Sequence, residues 1–156
     1  MKIVLLVIGK TDNHWLKEAI EDYYKRLVHY FPFEIITIPD IKNAKNLSEA
    51  QQKEKEGELV LKALQAGDYC VLLDENGKEF SSTEFATYIE KKTHTVRRMV
   101  FIIGGPYGFS ETVYKTASEK LSLSKMTFSH QMVRLIFIEQ LYRACTILNN
   151  EPYHHQ

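Results

Sequence analysis

Cysteine is scarce in this sequence, two residues in 156, and that scarcity excludes a small disulfide-stapled scaffold. Cys70 and Cys145 both lie in apolar stretches, as buried thiols of a reducing compartment do. No apolar run approaches the roughly 18 residues that a membrane span needs. The apolar opening Lys2–Ile8 is short, has one basic residue and no small-residue cleavage site, and reads as a buried strand rather than a signal core. A net charge is missing as well, because 20 basic and 20 acidic residues cancel. Nucleic-acid affinity rests largely on phosphate neutralisation, so such a partner would have to be met by locally gathered charge or by shape. Repeats and low-complexity segments are absent too. What is present, 44% apolar and 26% charged residues, is the composition of an ordinary globular protein. The length suits one domain spanning 1–156, expected to be soluble and cytoplasmic with no membrane partner.

Strand and helix patterns alternate along the chain. Residues 2–8 read as a strand covered on both faces. Residues 13–30 form an amphipathic helix, with Trp15, Leu16, Ile20, Tyr23, Leu27 and Tyr30 at three- and four-residue spacing. A second strand covers 33–38, and the polar stretch 41–52 reads as a mobile loop. A helix from about 48 to 65 is closed by Gly67, and a third strand, 69–73, ends in the turn Asp74-Glu75-Asn76-Gly77. Ser81 opens a helix with a capping box. A fourth strand, 99–103, runs into Gly104-Gly105-Pro106-Tyr107-Gly108; Ser110 caps a short helix, and 121–123 is a short strand. The longest helix covers 130–148, and 149–156 is a tail. This alternation predicts an α/β fold, a mostly parallel sheet with helices on both faces. Ligands then bind beyond the carboxyl ends of the strands, at Leu73-Asp74, at 104–108 and after Leu123.

The glycine run at 104–108 has neither the spacing of a dinucleotide fingerprint nor the Lys-Ser/Thr of a phosphate loop. It serves either as a tight turn or as a ligand loop. The segment 121–131 mixes hydroxyls with apolar residues and lacks glycine and proline; its serines cap the long helix, or its backbone reads an adenine edge. On that helix His130, Arg134, Glu139 and Arg143 interrupt an otherwise apolar surface. They form a solvated stripe with an (i, i+4) ion pair, or they are embedded and functional, with one helix face covered by another subunit. Ile136, Leu141 and their neighbours are the candidates for that interface. The tail carries Tyr153-His154-His155; by itself it reads as a frayed, disordered end, although such an end would need no aromatic. His14, His29 and His94 show no ligand spacing, and no nucleophile–base triad stands out, so no metal is expected.

Taken in order, these features resemble one family over the whole chain. Met1-Lys2-Ile3 with Gly9-Lys10, Lys53-Glu54-Lys55-Glu56-Gly57, Leu73-Asp74 with Gly77-Lys78, Ile103 to Gly108, Leu121 to Thr127, His130-Gln131-Met132-Val133-Arg134, Glu139 to Ala144 and Pro152-Tyr153-His154 resemble the bacterial large-subunit ribosomal RNA pseudouridine methyltransferases of the trefoil-knotted SPOUT class. The resemblance implies a C-terminal knot, which alternation rules could not supply. It also implies a homodimer and S-adenosylmethionine as methyl donor, with transfer to N3 of a pseudouridine in large-subunit ribosomal RNA of the assembled ribosome. By position, Leu73, Gly104, Gly105, Leu123, Ser124, Lys125, Met126, Thr127 and Phe128 would hold the cofactor. His130, Arg143, Tyr153 and His154 would lie near the target base, the tail reaching a site completed by the other subunit and serving catalysis rather than stability. Two rivals stand beside this reading: a regulatory nucleotide-binding module, and a non-catalytic ribosome assembly protein.

Overall fold

The apolar opening is unbroken because its side chains enter two separate cores. In the computed structural model, which describes residues 1–155, Lys2–Ile8 forms strand β1. Ile3, Leu5 and Val7 point into one core, and Val4, Leu6 and Ile8 into another on the opposite face. Helix α1 (His14–Leu27) follows, its first turn capped by the Asn13 side chain, and then strand β2 (Phe33–Ile38). Helix α2 (Glu49–Ala63), strand β3 (Tyr69–Glu79), helix α3 (Ser82–Thr93) and strand β4 (Arg98–Ile103) come next. Helix α4 (Glu111–Thr116), strand β5 (Glu119–Ser122) and helix α5 (Met132–Leu148) complete the order. The stretch expected as a mobile loop holds a 3-10 turn, Ala44–Asn46, and then a full capping box in which Ser48 and Gln51 satisfy each other's backbone amides.

The five strands form one parallel sheet in the order β2-β1-β4-β3-β5. Helices α1, α3 and α5 cover one face, and α2 and α4 the other. β3 is followed by a helix on the first face and β4 by one on the second, so the chain diverges between these neighbours. Crevices open at such switch points, beyond the carboxyl ends of the strands. The larger core centres on aromatics, with Phe101 and Phe137 at 4.7 Å between ring centroids and Phe85 edge-on to both.

Two expectations need correction. Helix α5 lies between α1 and α3 and leans on the sheet, which explains most of its apolar circumference within one chain. Leu141 is fully buried there, so it belongs to the core and not to a surface facing another subunit; Leu135 and Ile136 are only half-buried. The turn Asp74–Gly77 does not end β3 either. The strand continues to Glu79, and Leu73 and Lys78 both pair with Leu121, so residues 74–77 loop out between two stretches of one ladder. Gly77 is needed for close approach rather than for an unusual φ: a Cβ there would lie 2.6 Å from the backbone of Lys120 and Leu121. Gly77→Ala should therefore destabilise the fold by about 2 kcal/mol or more, the scale of overpacking a tight contact. Equilibrium urea unfolding checks this; a shift under about 0.5 kcal/mol would show that β3 and β5 separate there at no cost.

Candidate active site

The outward loop 74–77 within β3 and the loops that follow β4 and β5 meet around a cavity of about 610 Å³. That size suits a ligand of cofactor dimensions. Of the residues expected to hold a cofactor, Leu73, Gly104, Gly105, Leu123, Ser124, Met126, Thr127 and Phe128 line it, and so does His130. Lys125 is exposed on the loop and is not part of the lining. The hydroxyls of this loop mostly serve the loop itself. Ser122 Oγ donates to the Ser124 carbonyl at 2.9 Å, Ser124 Oγ accepts from the Met126 amide at 2.9 Å, and Ser129 Oγ accepts from the Met132 amide at 3.0 Å. Ser129 thus bonds the first amide of α5, whose N-cap residue Gln131 makes no side-chain cap bond, while Ser122 and Ser124 shape the cavity wall.

No lysine or arginine lines the cavity; its charged groups are Asp74 and Glu75, with His130 as a titratable neighbour. The Tyr114 hydroxyl donates to Asp74 at 2.5 Å, and burial together with that carboxylate pushes its pKa up to about 12. Thr127 Oγ1 donates to Glu75 at 3.4 Å. A cleft of this sign favours a cationic ligand. Asp74, Glu75 and Tyr114 were not singled out from sequence; only the position of Asp74 after a strand pointed to it. Gly105 lines the cavity, but its missing side chain is demanded from behind. A Cβ there would lie 2.7 and 2.8 Å from the two carboxylate oxygens of Glu56.

Arg134 and Gln131 turn out to be clamps. The Arg134 guanidinium, 2% exposed, donates to the carbonyls of Ile8 and Gly9 at 2.8 Å each. Gln131 bonds the Lys10 carbonyl and the Asp12 amide. These contacts fix the start of α5, and with it His130, against the end of β1.

The other expected catalytic residues gather elsewhere. The tail is docked, not frayed. The Tyr153 hydroxyl donates to Glu139 at 3.0 Å and meets the Tyr23 hydroxyl at 3.1 Å, while its ring stands edge-on to Tyr142 at 4.8 Å. Arg143 bonds Glu139 at 2.6 Å and the His154 Nδ1 at 3.0 Å, and lies 4.8 Å above the Tyr153 ring. Burial first, and then the bonds to Tyr23 and Glu139, raise the Tyr153 pKa. Arg143 follows Met132, the first residue of α5, by 11 positions, roughly 16 Å along the helix, and His130 precedes that start, so the two groups sit toward opposite ends of α5. A second cavity, of about 660 Å³, lies at the β5 edge. There Lys92, Tyr69 and Tyr88 all donate to Glu119 and satisfy one another, and no candidate residue lines it.

Comparison with known proteins decides the family. A family model described as "Predicted SPOUT methyltransferase" matches residues 1–154. This chain belongs to the SPOUT methyltransferase family. The same match agrees with the knotted class that the resemblance implied. Curated relatives of this SPOUT methyltransferase align over the whole of both chains. Proteins named "Ribosomal RNA large subunit methyltransferase H" are 75% identical in Parabacteroides distasonis, 65% in Phocaeicola vulgatus and 65% in Flavobacterium johnsoniae. Among the described residues no His/Cys/Asp/Glu cluster has the form of a metal site, and no helix is long and apolar enough to cross a membrane.

The docked tail revises the expectation that it adds nothing to stability. Deleting 152–156 should lower the unfolding free energy by about 1–3 kcal/mol, the sum of part-buried hydrogen bonds and one aromatic pair. Urea unfolding of the truncated chain tests this, and an unchanged midpoint would mean that these contacts are already open in solution.

Proposed function

We propose that this methyltransferase acts in the cytoplasm as a homodimer and methylates N3 of a pseudouridine in large-subunit ribosomal RNA of the assembled ribosome, using S-adenosylmethionine and no metal. The observation that carries the reading is full-length identity of 75% with a protein named for large-subunit ribosomal RNA methylation. The cavity suits the donor on its own chemistry: glycine backbone at the turn, a hydroxyl-shaped loop, and carboxylates as its only formal charges at neutral pH when His130 is neutral. A bound S-adenosylmethionine supplies a methyl group on a cationic sulfur, which needs alignment more than activation. Leu73, Gly104, Gly105 and the loop from Leu123 to Phe128, with Lys125 at its outer edge, would hold it.

The remaining roles follow from hydrogen-bond chemistry. Arginine can only donate, so the Nδ1 of His154 that faces Arg143 accepts, and its Nε2 carries the proton. Arg143, oriented by His154 and Glu139, would donate toward an oxygen of the target ring and steady its developing negative charge. Tyr153, with its pKa raised, holds its proton and positions Arg143 through their shared partner Glu139. His130 is then the acceptor for the target N–H proton. Because His130 precedes the start of α5 and this cluster lies near its far end, a second subunit would supply one of them. The half-buried Leu135 and Ile136 and the 52% exposed Trp15 offer apolar surface for that pairing.

Two inactive variants should then rescue each other. Ser124→Arg fills the cofactor cleft, and deletion of 152–156 removes the tail. Refolded together at equal amounts, half of the randomly paired dimers have one working site of two, so about a quarter of wild-type activity on ribosomes should return. Heterodimers confirmed by native mass spectrometry but lacking activity would overturn the composite site. Ribosomal RNA from cells without this protein, examined by mass spectrometry for one missing methyl group, tests the target itself.

A further inference from the structure

Glu56 lies on the inward side of α2 and is 3% exposed. Gln52, one helical turn earlier, donates to its Oε2 at 3.3 Å. Its Oε1 is the only buried side-chain polar atom without a hydrogen-bond partner among the described residues. Burying a carboxylate that far without pairing it is costly, and helix α2 gains nothing from the arrangement. The carboxylate also packs against Gly105, where a Cβ would meet its two oxygens at 2.7 and 2.8 Å and force the Glu56 side chain to move. Gly105 lines the cofactor cleft and Glu56 does not, so one thickness of backbone separates the carboxylate from the cavity.

We propose that Glu56 is the specificity-determining counter-charge of this cleft, selecting the cationic sulfonium of S-adenosylmethionine over the neutral thioether of S-adenosylhomocysteine. Methyl transfer removes the positive charge from the sulfur: the S–CH3 bond breaks and its electron pair stays on sulfur. The new C–N bond forms on the target, whose proton leaves to the base. The attraction from Glu56 disappears in the same event, so the spent cofactor is held less tightly than the fresh one. Glu56 acts across the Gly105 backbone and touches neither ligand, so its effect follows the ligand's charge and not its shape. This inference rests on the S-adenosylmethionine reading of the cleft.

The groups facing Glu56 set the pH at which this holds. Burial is the main cause of its raised pKa; Asp40, just after β2, raises it further, whereas the Gln52 hydrogen bond and His130, before α5, lower it. Arg134 faces Asp40 from α5 and tempers that carboxylate's influence. The preference is accordingly present at higher pH and is lost as pH falls through the raised value.

Calorimetry with three ligands tests the proposal: S-adenosylmethionine, S-adenosylhomocysteine, and an analogue with a protonated amine in place of the sulfonium. Glu56→Gln keeps the shape and removes the charge. It should weaken S-adenosylmethionine and the amine analogue by about tenfold, the scale of one charge pair across a backbone thickness, and leave S-adenosylhomocysteine unchanged. Equal changes for charged and neutral ligands, or no change for either, would overturn the role of Glu56. If the wild-type protein bound none of the three, the cofactor reading itself would fall. Gln52→Leu provides a second measurement at a half-exposed position. Without its donor the carboxylate should protonate more readily, so the preference should vanish at a higher pH than in the wild type. An unmoved pH profile would overturn the role of Glu56.

Discussion

One buried guanidinium holds the last helix to the first strand. The strand β1 ends in carbonyls that no neighbouring strand can reach, and Arg134 takes two of them, adding the Thr11 hydroxyl at 3.2 Å and the His130 carbonyl at 3.2 Å. Burial pulls its pKa down, and Asp12 and Asp40 pull it back up. Removing such a group leaves several desolvated acceptors with nothing to bond, which is why its position tolerates little movement. The loop 123–131 hangs between β5 and this clamp, so the cavity wall is set at one end by sheet pairing and at the other by Arg134. His130 inherits its place from the same bonds, and the far end of α5 carries Arg143 and the docked tail.

The zero net charge is easier to understand with the charges placed. The cleft concentrates carboxylates where a cationic cofactor would lie, while the cationic side chains sit elsewhere, some of them paired: Lys92 with Glu119, Arg98 with Asp68 at 2.6 Å, Arg143 with Glu139. A protein arranged in this way does not capture RNA through a broad positive field. Shape over a folded target, as for structured RNA in general, suits it better.

Much of the fold was legible because local signals agreed with the tertiary outcome. Ser81 and Ser110 cap the helices as the sequence indicated, and unbroken apolar runs gave the doubly covered strands. The carboxyl-end rule found the cavity. What escaped depends on partners distant in sequence. Continuation of β3 past Asp74–Gly77 is dictated by β5, some 45 residues on, and nothing local encodes it. Leu141 looks like surplus apolar surface only until α1 and α3 are seen on either side of α5. The glycine at 105 was legible as a special position, but its cause, a carboxylate from α2, was not. The tail's aromatic was noticed, though its partners Tyr23 and Tyr142 could not be guessed from spacing.

The place of α5 bears on how the chain acquires its structure during synthesis. Every strand emerges before this helix does, yet the larger core lacks Phe137, Ile138, Leu141, Ala144 and Cys145 until it arrives. Until then one face of β1 and β4 is open apolar surface, and the carbonyls of Ile8 and Gly9 have only water. A chain in which α5 has not docked leaves that face of the sheet uncovered, a surface of the kind that associates with its own copies or recruits chaperones. Docking of α5 covers that surface, and the same contacts fix the start of the helix that bounds the cavity wall.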